Sequence, residues 1–378
     1  MSNENSVKFS KELFETISLS TDPGKNIIIS PLSVQTSLGL AFVGATGETA
    51  QEFIKVLNLD SDNKDEVAGA FEKILEECSS NVDIANKIYV NQNYNLKESY
   101  NEITKKCVQS DLAADKINKW VEEKTNNKIQ NCISPDFIDD STQLILVNAI
   151  YFKGNWEHPF DSEFTKKARF YIGKNESVNV DMMSKNTYFR YGDLEDLDAK
   201  VLELPYENSN LSMLIVLPNK RTGLRDVELK LKSKSIFEIN EKMVEDKVHV
   251  YLPKFKVAYE LELTETLKKM GMTNIFSNEA EFDDILEGSG NLKVSKVLHK
   301  AFIEVNERGT EASAFSGTGL CEYCLPIDFI VNHPFIYIIW DLKNILFSGK
   351  IIAMSLVNQT KSVLVHFPRL VLSMTQTW

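Results

Sequence analysis

The stretch His299–Thr318, HKAFIEVNERGTEASAFSGT, changes character at its middle. Val297, His299, Ala301, Ile303 and Val305 share one face of a strand by the period of two, and that apolar face is broken once, by His299. From Asn306 to Phe329 there is no sustained apolar periodicity, although strand-like runs lie on both sides. A loop of that length inside a compact domain is uncommon unless it has a function. Its composition is also patterned. Thr310, Ala312, Ala314, Ser316 and Thr318 are small and share one parity, whereas Glu311 and Phe315 take the other. As a strand, the segment would turn a small face into a tight buried gap and leave the bulky face outside. Gly309, just ahead of it, is a natural hinge. A segment that lies outside a sheet and could join it is a bistable element.

The rest of the chain fits such a sheet. At 378 residues and 43% hydrophobic composition, it can bury a large core. A net charge of −12 without a Lys/Arg cluster argues against nucleic acid or an anionic membrane as partner, and no apolar run is long enough for a membrane span. The N-terminal MSNENSVKFSKELFE lacks a secretory signal pattern, so an intracellular location is expected, or an extracellular one if a signal segment precedes this sequence. The five cysteines are few, odd in number and scattered, as in a reduced compartment. The sequons at Asn175, Asn210 and Asn358 mean nothing without secretion.

Phe9, Leu13 and Ile17 have helical spacing. In KNIIISPLSVQTSLGLAFVGA (residues 25–45) a short apolar strand leads into a helix, with Ser30 as N-cap and Pro31 at the first helical position. That helix is apolar nearly all round and is expected to be buried. Residues 66–77 form an acidic amphipathic helix, and further helices are expected in KESYNEITKKC and AADKINKWVEEKTNNKI. Residues 83–92, 143–152, 201–218, 248–257 and 292–307 are strand-like. Long strands interrupted by helices, without βαβ alternation, indicate one large α+β domain.

A second strand repeats the anomaly at His299. Leu144, Leu146, Asn148, Ile150 and Phe152 share a face, and Asn148 interrupts it. A buried polar group without a partner costs about 1–3 kcal/mol, so Asn148 and His299 should bond to each other or to the Ser30-x-x-Ser33 helix start. A satisfied core histidine is the ordinary account of such a residue. Here the pair reads as a structural network governing how the two strands sit together. Catalytic patterns are otherwise missing: there is no G-x-S-x-G, H-E-x-x-H, P-loop or dinucleotide fingerprint. The C-x-x-C in LCEYCL (Leu320–Leu325) has no second pair, helix start or nearby His, so it is a weak metal or redox signal.

NERGTEASAF resembles the hinge of the serpins, the serine protease inhibitor family. The same holds for ISPLSVQTSLGLAFVGATGET, LVNAIYFKGNWEHPF, LPKFKV, HKAFIEVNERGTEA, NHPFIYIIWD and LFSGK, in family order from Val7 to Ile351. Within the family the chain resembles the insect-like intracellular, alternatively spliced type. The resemblance implies an α+β serpin fold: a large central, mostly antiparallel sheet with further sheets, eight or nine helices and an exposed reactive-centre loop at about 307–329. It implies one domain over 1–351, with an atypical tail at 352–378. The positions Ser30, Ser33, Asn148 and His299 match the family's shutter network, and Trp156 caps the breach where the loop first enters. The hinge comprises Glu307, Gly309, Thr310, Glu311, Ala312 and Ala314.

The implied activity is suicide inhibition without a catalytic residue, cofactor or metal of its own. A target protease attacks the loop, forms an acyl-enzyme, and is trapped when the cleaved loop inserts as a new strand. Family spacing from Glu307 by sixteen residues, and back from Phe335 by twelve, both give 323, so the reactive bond is expected at Tyr323–Cys324, flanked by Leu320, Cys321, Glu322 and Leu325. A P1 Tyr suits a chymotrypsin-like slot. Frames shifted to Leu320–Cys321 or Cys324–Leu325 stay open, with elastase-like or cathepsin-like enzymes as the other partners. The competing functions are cross-class inhibition of cysteine proteases and a non-inhibitory binding or chaperone role. A monomer is expected, and heparin is not, because helix 66–77 is acidic. Two departures stand out. VQSDL replaces the family's extra edge strand, and the tail IIAMSLVNQTKSVLVHFPRLVLSMTQTW is unlike the family's end.

Overall fold

The structure is a computed structural model. It describes residues 2–354 apart from 79–81, 92, 105–107, 110–113, 126, 131–132, 134–136, 140, 153, 289–290 and 310–324. The strands are β1 (Ile27–Ile29), β2 (Val82–Val90), β3 (Val108–Gln109), β4 (Leu144–Phe152), β5 (Lys166–Tyr171), β6 (Ser177–Leu194) and β7 (Ala199–Pro205), followed by β8 (Ser212–Pro218), β9 (Val244–Pro253), β10 (Phe255–Glu262), β11 (Val294–Val305), β12 (Ile327–Ile330), β13 (Phe335–Trp340) and β14 (Ile345–Ile351). Nine helices are present among the described residues: α1 (Asn3–Ser20), α2 (Pro31–Gly44), α3 (Gly47–Leu57), α4 (Lys64–Cys78), α5 (Glu98–Ile103), α6 (Ala114–Lys124), α7 (Leu224–Leu231), α8 (Ile236–Glu241) and α9 (Thr264–Met270). None is long and apolar enough to cross a membrane.

Two sheets organise the molecule. The central one has five strands in the order β10-β11-β4-β2-β3. The second has nine, in the order β1-β14-β13-β8-β7-β6-β9-β12 with β5 beside β6. In the central sheet β10 with β11 and β4 with β2 are antiparallel, whereas β11 and β4 run parallel from Val294↔Leu144 to Phe302↔Tyr151. That parallel junction has no intervening strand. A parallel pair normally needs a long crossover, and here the chain supplies a very long one, from β4 round to β11.

Helix α2 forms as its sequence dictates. The Ser30 side chain accepts from the Ser33 N–H, Pro31 occupies the first turn, and all of its residues except Leu40 are buried. It lies against β2, β4 and β14 and joins the core behind the central sheet. The run 248–257 is two strands of different sheets. The break falls at Pro253, which brings no N–H to continue a ladder. Lys254, in the gap, turns toward Glu307. Strands β5 and β6 occupy residues 166–194, where interleaved polar residues leave no apolar run to notice. The edge strand missing from VQSDL survives as the two residues of β3, which pair with Ile88 and Tyr89. At the other end, the first residues of the 352–378 stretch are anchored. The N–H groups of Ile352 and Ala353 donate to Asn26 Oδ1 at 2.7 and 3.0 Å, and Ile352 is buried.

Candidate functional site

The parallel junction of β4 and β11 carries polar groups at two levels. At mid-height, the registers Asn86↔Asn148 and Asn148↔His299 set three polar residues in one row across β2, β4 and β11. All three side chains face α2. The Ser30 N–H donates to His299 Nε2 at 3.1 Å, so the imidazole proton resides on Nδ1. The Ser33 hydroxyl donates to Asn86 Oδ1 at 2.7 Å, and Asn86 Nδ2 donates to the Ser33 carbonyl at 3.0 Å and to the Thr36 hydroxyl. Asn148 Nδ2 donates to the Leu298 carbonyl at 2.9 Å. Ser30, Ser33, Asn148 and His299 therefore lie in one buried cluster; of the two expected arrangements His299 takes the bond to the Ser30–Ser33 helix start, and Asn148 bonds to the Leu298 carbonyl instead of to His299. His299 Nδ1 and Asn148 Oδ1 are left without partners, an unused donor and an unused acceptor on neighbouring strands. Each costs desolvation that a separation or shift of the two strands could recover.

Asn86 and Thr36 complete this cluster and were missed from the sequence. The signal for Asn86 was available. Ile84, Asn86, Ile88 and Val90 repeat the pattern of an apolar strand face with one polar interruption.

Burial without a counter-charge pushes the His299 pKa down to about 3. The native state thus holds the ring neutral, while the unfolded chain would titrate near 6.5. Stability from this group is present above about pH 6.5 and is lost progressively as pH falls toward 3. Between pH 7 and 5, above the ordinary carboxylate range, the wild-type melting temperature should fall with pH. That slope should flatten in His299→Gln, as scanning fluorimetry would read.

At the upper end of the junction, the chain leaving β11 is pinned. Gly309 forms bridges with Asn155 and with Asn306, and the Trp156 N–H donates to the Arg308 carbonyl at 3.0 Å. The Phe160 N–H donates to the Glu307 carbonyl at 2.7 Å, and Trp156 Nε1 donates to the Asn306 carbonyl at 3.0 Å. The Trp156 ring stacks on Tyr206 at 4.5 Å and roofs this corner. Gly309 has φ +109°, and a Cβ there would lie 2.1 Å from the Gly154 carbonyl oxygen, so only glycine fits.

Glu307 anchors the same turn. Its side chain is 13% exposed, lies 2.8 Å from Lys254 Nζ and accepts the Thr165 hydroxyl at 2.9 Å. Burial pushes its carboxyl up, but the bonds from Lys254, the backbone and Thr165 outweigh that and hold it below the ordinary glutamate range. The stability it contributes is present above about pH 4.5 and is lost as pH falls through the lowered value. Glu307→Gln keeps the shape and removes the charge. It should cost about 1.5–3 kcal/mol, the worth of hydrogen bonds to a charged group, visible as a lower melting temperature at pH 7 that approaches wild type as the pH falls below about 4.5 and through the lowered value.

Thr310, Glu311, Ala312, Ala314, Leu320, Cys321, Glu322, Tyr323 and Cys324 lie outside the described residues. The far end of the loop enters at Leu325, 96% exposed, and feeds directly into β12. Among the described residues no three His, Cys, Asp or Glu side chains group as metal ligands.

The profile of the Serpin family, serine protease inhibitor, matches residues 4–354. The chain is a serpin. It is 37% identical over 360 residues to Serine protease inhibitor 42Dd of Drosophila melanogaster, covering 91% of this chain and 95% of the relative. It is 33% identical over 358 residues to Antichymotrypsin-2 of Bombyx mori, covering 90% and 95%. Among solved structures, Cleaved Serpin 42Da superposes with TM-score 0.84 at 38% identity, covering 93% of this chain and 97% of that one. The serpin fold expected from the motifs is therefore the fold found, and the protein belongs to a family of protease inhibitors, not enzymes.

Proposed function

We propose that this serpin inhibits serine proteases as a suicide substrate whose cleaved loop inserts between β4 and β11. The observation that carries this reading is the parallel junction with the hinge at its top. A chain that leaves the C-terminal end of β11 and folds back runs antiparallel to both β11 and β4. It would thus replace one parallel contact by two antiparallel ones, the slightly more stable pairing. Residues 310–323, fourteen in number, would span about 48 Å as a strand, enough to carry a protease tethered at Tyr323 from one pole of the sheet to the other. The small even-numbered face would lie against the core, and Phe315 would stay outside. Serpin loop insertion is itself a well-known example of strand addition and of the release of stored strain, so the mechanism is the family's, and only the residue assignment is particular to this chain.

Tyr323–Cys324 as the reactive bond draws support from the two anchor counts and from a relative named Antichymotrypsin-2. Mixing the protein with chymotrypsin should give an SDS-resistant complex, with the released C-terminal peptide beginning at Cys324 by mass spectrometry. An elastase and a cathepsin run in parallel test the shifted frames. Cleavage without a complex in all three would refute inhibition. Rate measurements on oxidised and reduced protein would show whether Cys321 and Cys324 stiffen the bait when joined.

A second reading, a binding role, has one observation in its favour. A cavity of about 650 Å³ lies among α1, α8, β13 and β14, lined by Val7, Phe14, Ile236, Ile336 and Ile345. Ser348, whose buried hydroxyl has no partner, is among its lining residues. The volume is in the range of small-ligand sites. Binding of an apolar fluorophore that Ile345→Trp abolishes would support it, and unchanged fluorescence would not.

A further inference from the structure

The cavity of about 650 Å³ runs beside α1, with β13 and β14 lining one side and α7 and α8 another. Its apolar lining includes the buried Val7, Ile236 and Ile336 and the half-buried Phe14, Leu231 and Phe237. Leu19, which lines it at the end of α1, is 55% exposed. The end of β14 is tied to this site. Lys350 Nζ donates to the Ser18 hydroxyl at 2.7 Å and to a Glu228 carboxylate oxygen at 2.8 Å, and both partners line the cavity. Two residues on, Ile352 joins the same buried cluster as Val7, Ile236 and Ile336. Met354, the last described residue, is at most about 14 Å along the chain from Lys350. Residues 355–378 lie outside the described residues. They contain the largely apolar run SVLVHFPRLVL (362–372), include Lys361 and Arg369, and hold no Asp or Glu, on a chain whose net charge is −12.

We propose that the segment Val363–Arg369 of this chain's own tail docks in the cavity, with Val363, Val365 and Phe367 turned into it. This docking does not depend on protease trapping, and it fills the space that a small-ligand role would need. Reach is the first reason. Val363 is nine residues beyond Met354, up to about 30 Å of extended chain, and the tail starts beside Lys350, which already touches the cavity wall. Length is the second. Val363 to Arg369 spans about 20 Å as an extended segment, and the wall of α1 from Leu19 back to Glu4 is about 22 Å long. By the period of two, Val363, Val365 and Phe367 share one face and His366 takes the other. Pro368 brings no N–H that would need a partner among apolar side chains. Charge is the third reason. With Val363 at the Leu19 end, Arg369 arrives at the Glu4 end, where Glu238 and Glu241 of α8 also line the cavity. The cavity's own lysines are engaged: Lys11 donates to the Lys232 and Lys234 carbonyls, Lys232 lies 3.4 Å from Glu15, and Lys234 lies 2.8 Å from Asp196. Tethering makes the contact intramolecular, so it forms at a high effective concentration.

The test is hydrogen–deuterium exchange of the full-length protein, read by mass spectrometry. Amides of residues 363–369 should exchange at least about tenfold more slowly in wild type than in Leu19→Glu, which leaves the tail sequence intact and puts a charge on the cavity rim. Leu19 is more than half exposed, so that variant should fold as wild type does. The control Leu229→Glu, an exposed leucine of α7 outside the cavity lining, should keep the wild-type protection. The tail variant Val365→Asp, Phe367→Asp should open the cavity: it should bind the apolar fluorophore 1-anilinonaphthalene-8-sulfonate where wild type does not, and adding Ile345→Trp should remove that signal. Tail amides that exchange equally fast in wild type and Leu19→Glu overturn the proposal. So does wild type that binds the fluorophore as strongly as the tail variant, which would favour a small ligand. Protection that disappears on dilution also overturns it, by placing the tail on a second copy of the chain.

Discussion

Thr310→Arg should yield a protein that chymotrypsin cleaves but is not held by. Residue 310 follows Gly309, which already bridges Asn155 and Asn306 at the top of β4 and β11, so in the proposed insertion it would be the first side chain to enter the junction. On insertion its parity would aim it at the core behind the central sheet, where Ile150, Phe152 and Ile303 are fully or almost fully buried. A guanidinium placed there loses its hydration without a partner, at a cost of several kcal/mol. Insertion competes with deacylation of the protease. A barrier raised by about 3 kcal/mol slows insertion about a hundredfold, and deacylation then wins. The expected gel shows cleaved inhibitor and free protease, with no covalent band. Cleaved wild type should also melt at a much higher temperature than intact protein, and cleaved Thr310→Arg should not. An undiminished covalent band would mean that residue 310 does not enter the sheet.

Tyr323→Arg should redirect the bait. An apolar slot accepts the tyrosine ring and leaves an arginine charge unpaired, whereas a slot with an aspartate at its base pairs it. An unpaired buried charge costs about 3–5 kcal/mol, so inhibition of chymotrypsin should slow by about two to three and a half orders of magnitude, and trypsin should become a target. Insertion should be untouched, because odd-numbered position 323 lies beyond the hinge and off the small face. Chymotrypsin inhibition that survives the change, with the cut mapped to Leu320–Cys321 or Cys324–Leu325, would place the reactive bond in a shifted frame.

Much of the site was legible because it is written in periodicity. Strand parity marked Asn148 and His299 as polar breaks on apolar faces, and helix-cap chemistry marked Ser30 and Pro31. Parity does not say which partner a buried polar group takes. Asn148 and His299 proved to be register neighbours that bond elsewhere, one to the Leu298 carbonyl and one to the Ser30 N–H. Asn86 went unnoticed although it carries the same pattern. Lys254 sits in the motif LPKFKV but gave no signal by periodicity, since its value lies in a break between two sheets that Pro253 creates and in a glutamate 53 positions away. Residues 166–194 also escaped notice, because a strand covered on one side and interleaved with polar residues has no apolar run.

By itself the sequence determined the local terms: which faces are apolar, where helices start, where a glycine must bend the chain, and that the even-numbered residues from 310 to 318 are all small while Glu311 and Phe315 take the other parity. Those depend on neighbours a few positions apart, and composition settles them. Tertiary structure alone decided that β4 and β11 lie side by side in parallel with no strand between them, and that the hinge sits at the top of that contact. Pairings between residues about 150 positions apart, such as Asn148 with His299, are set by the packing of the whole core, which no local pattern encodes.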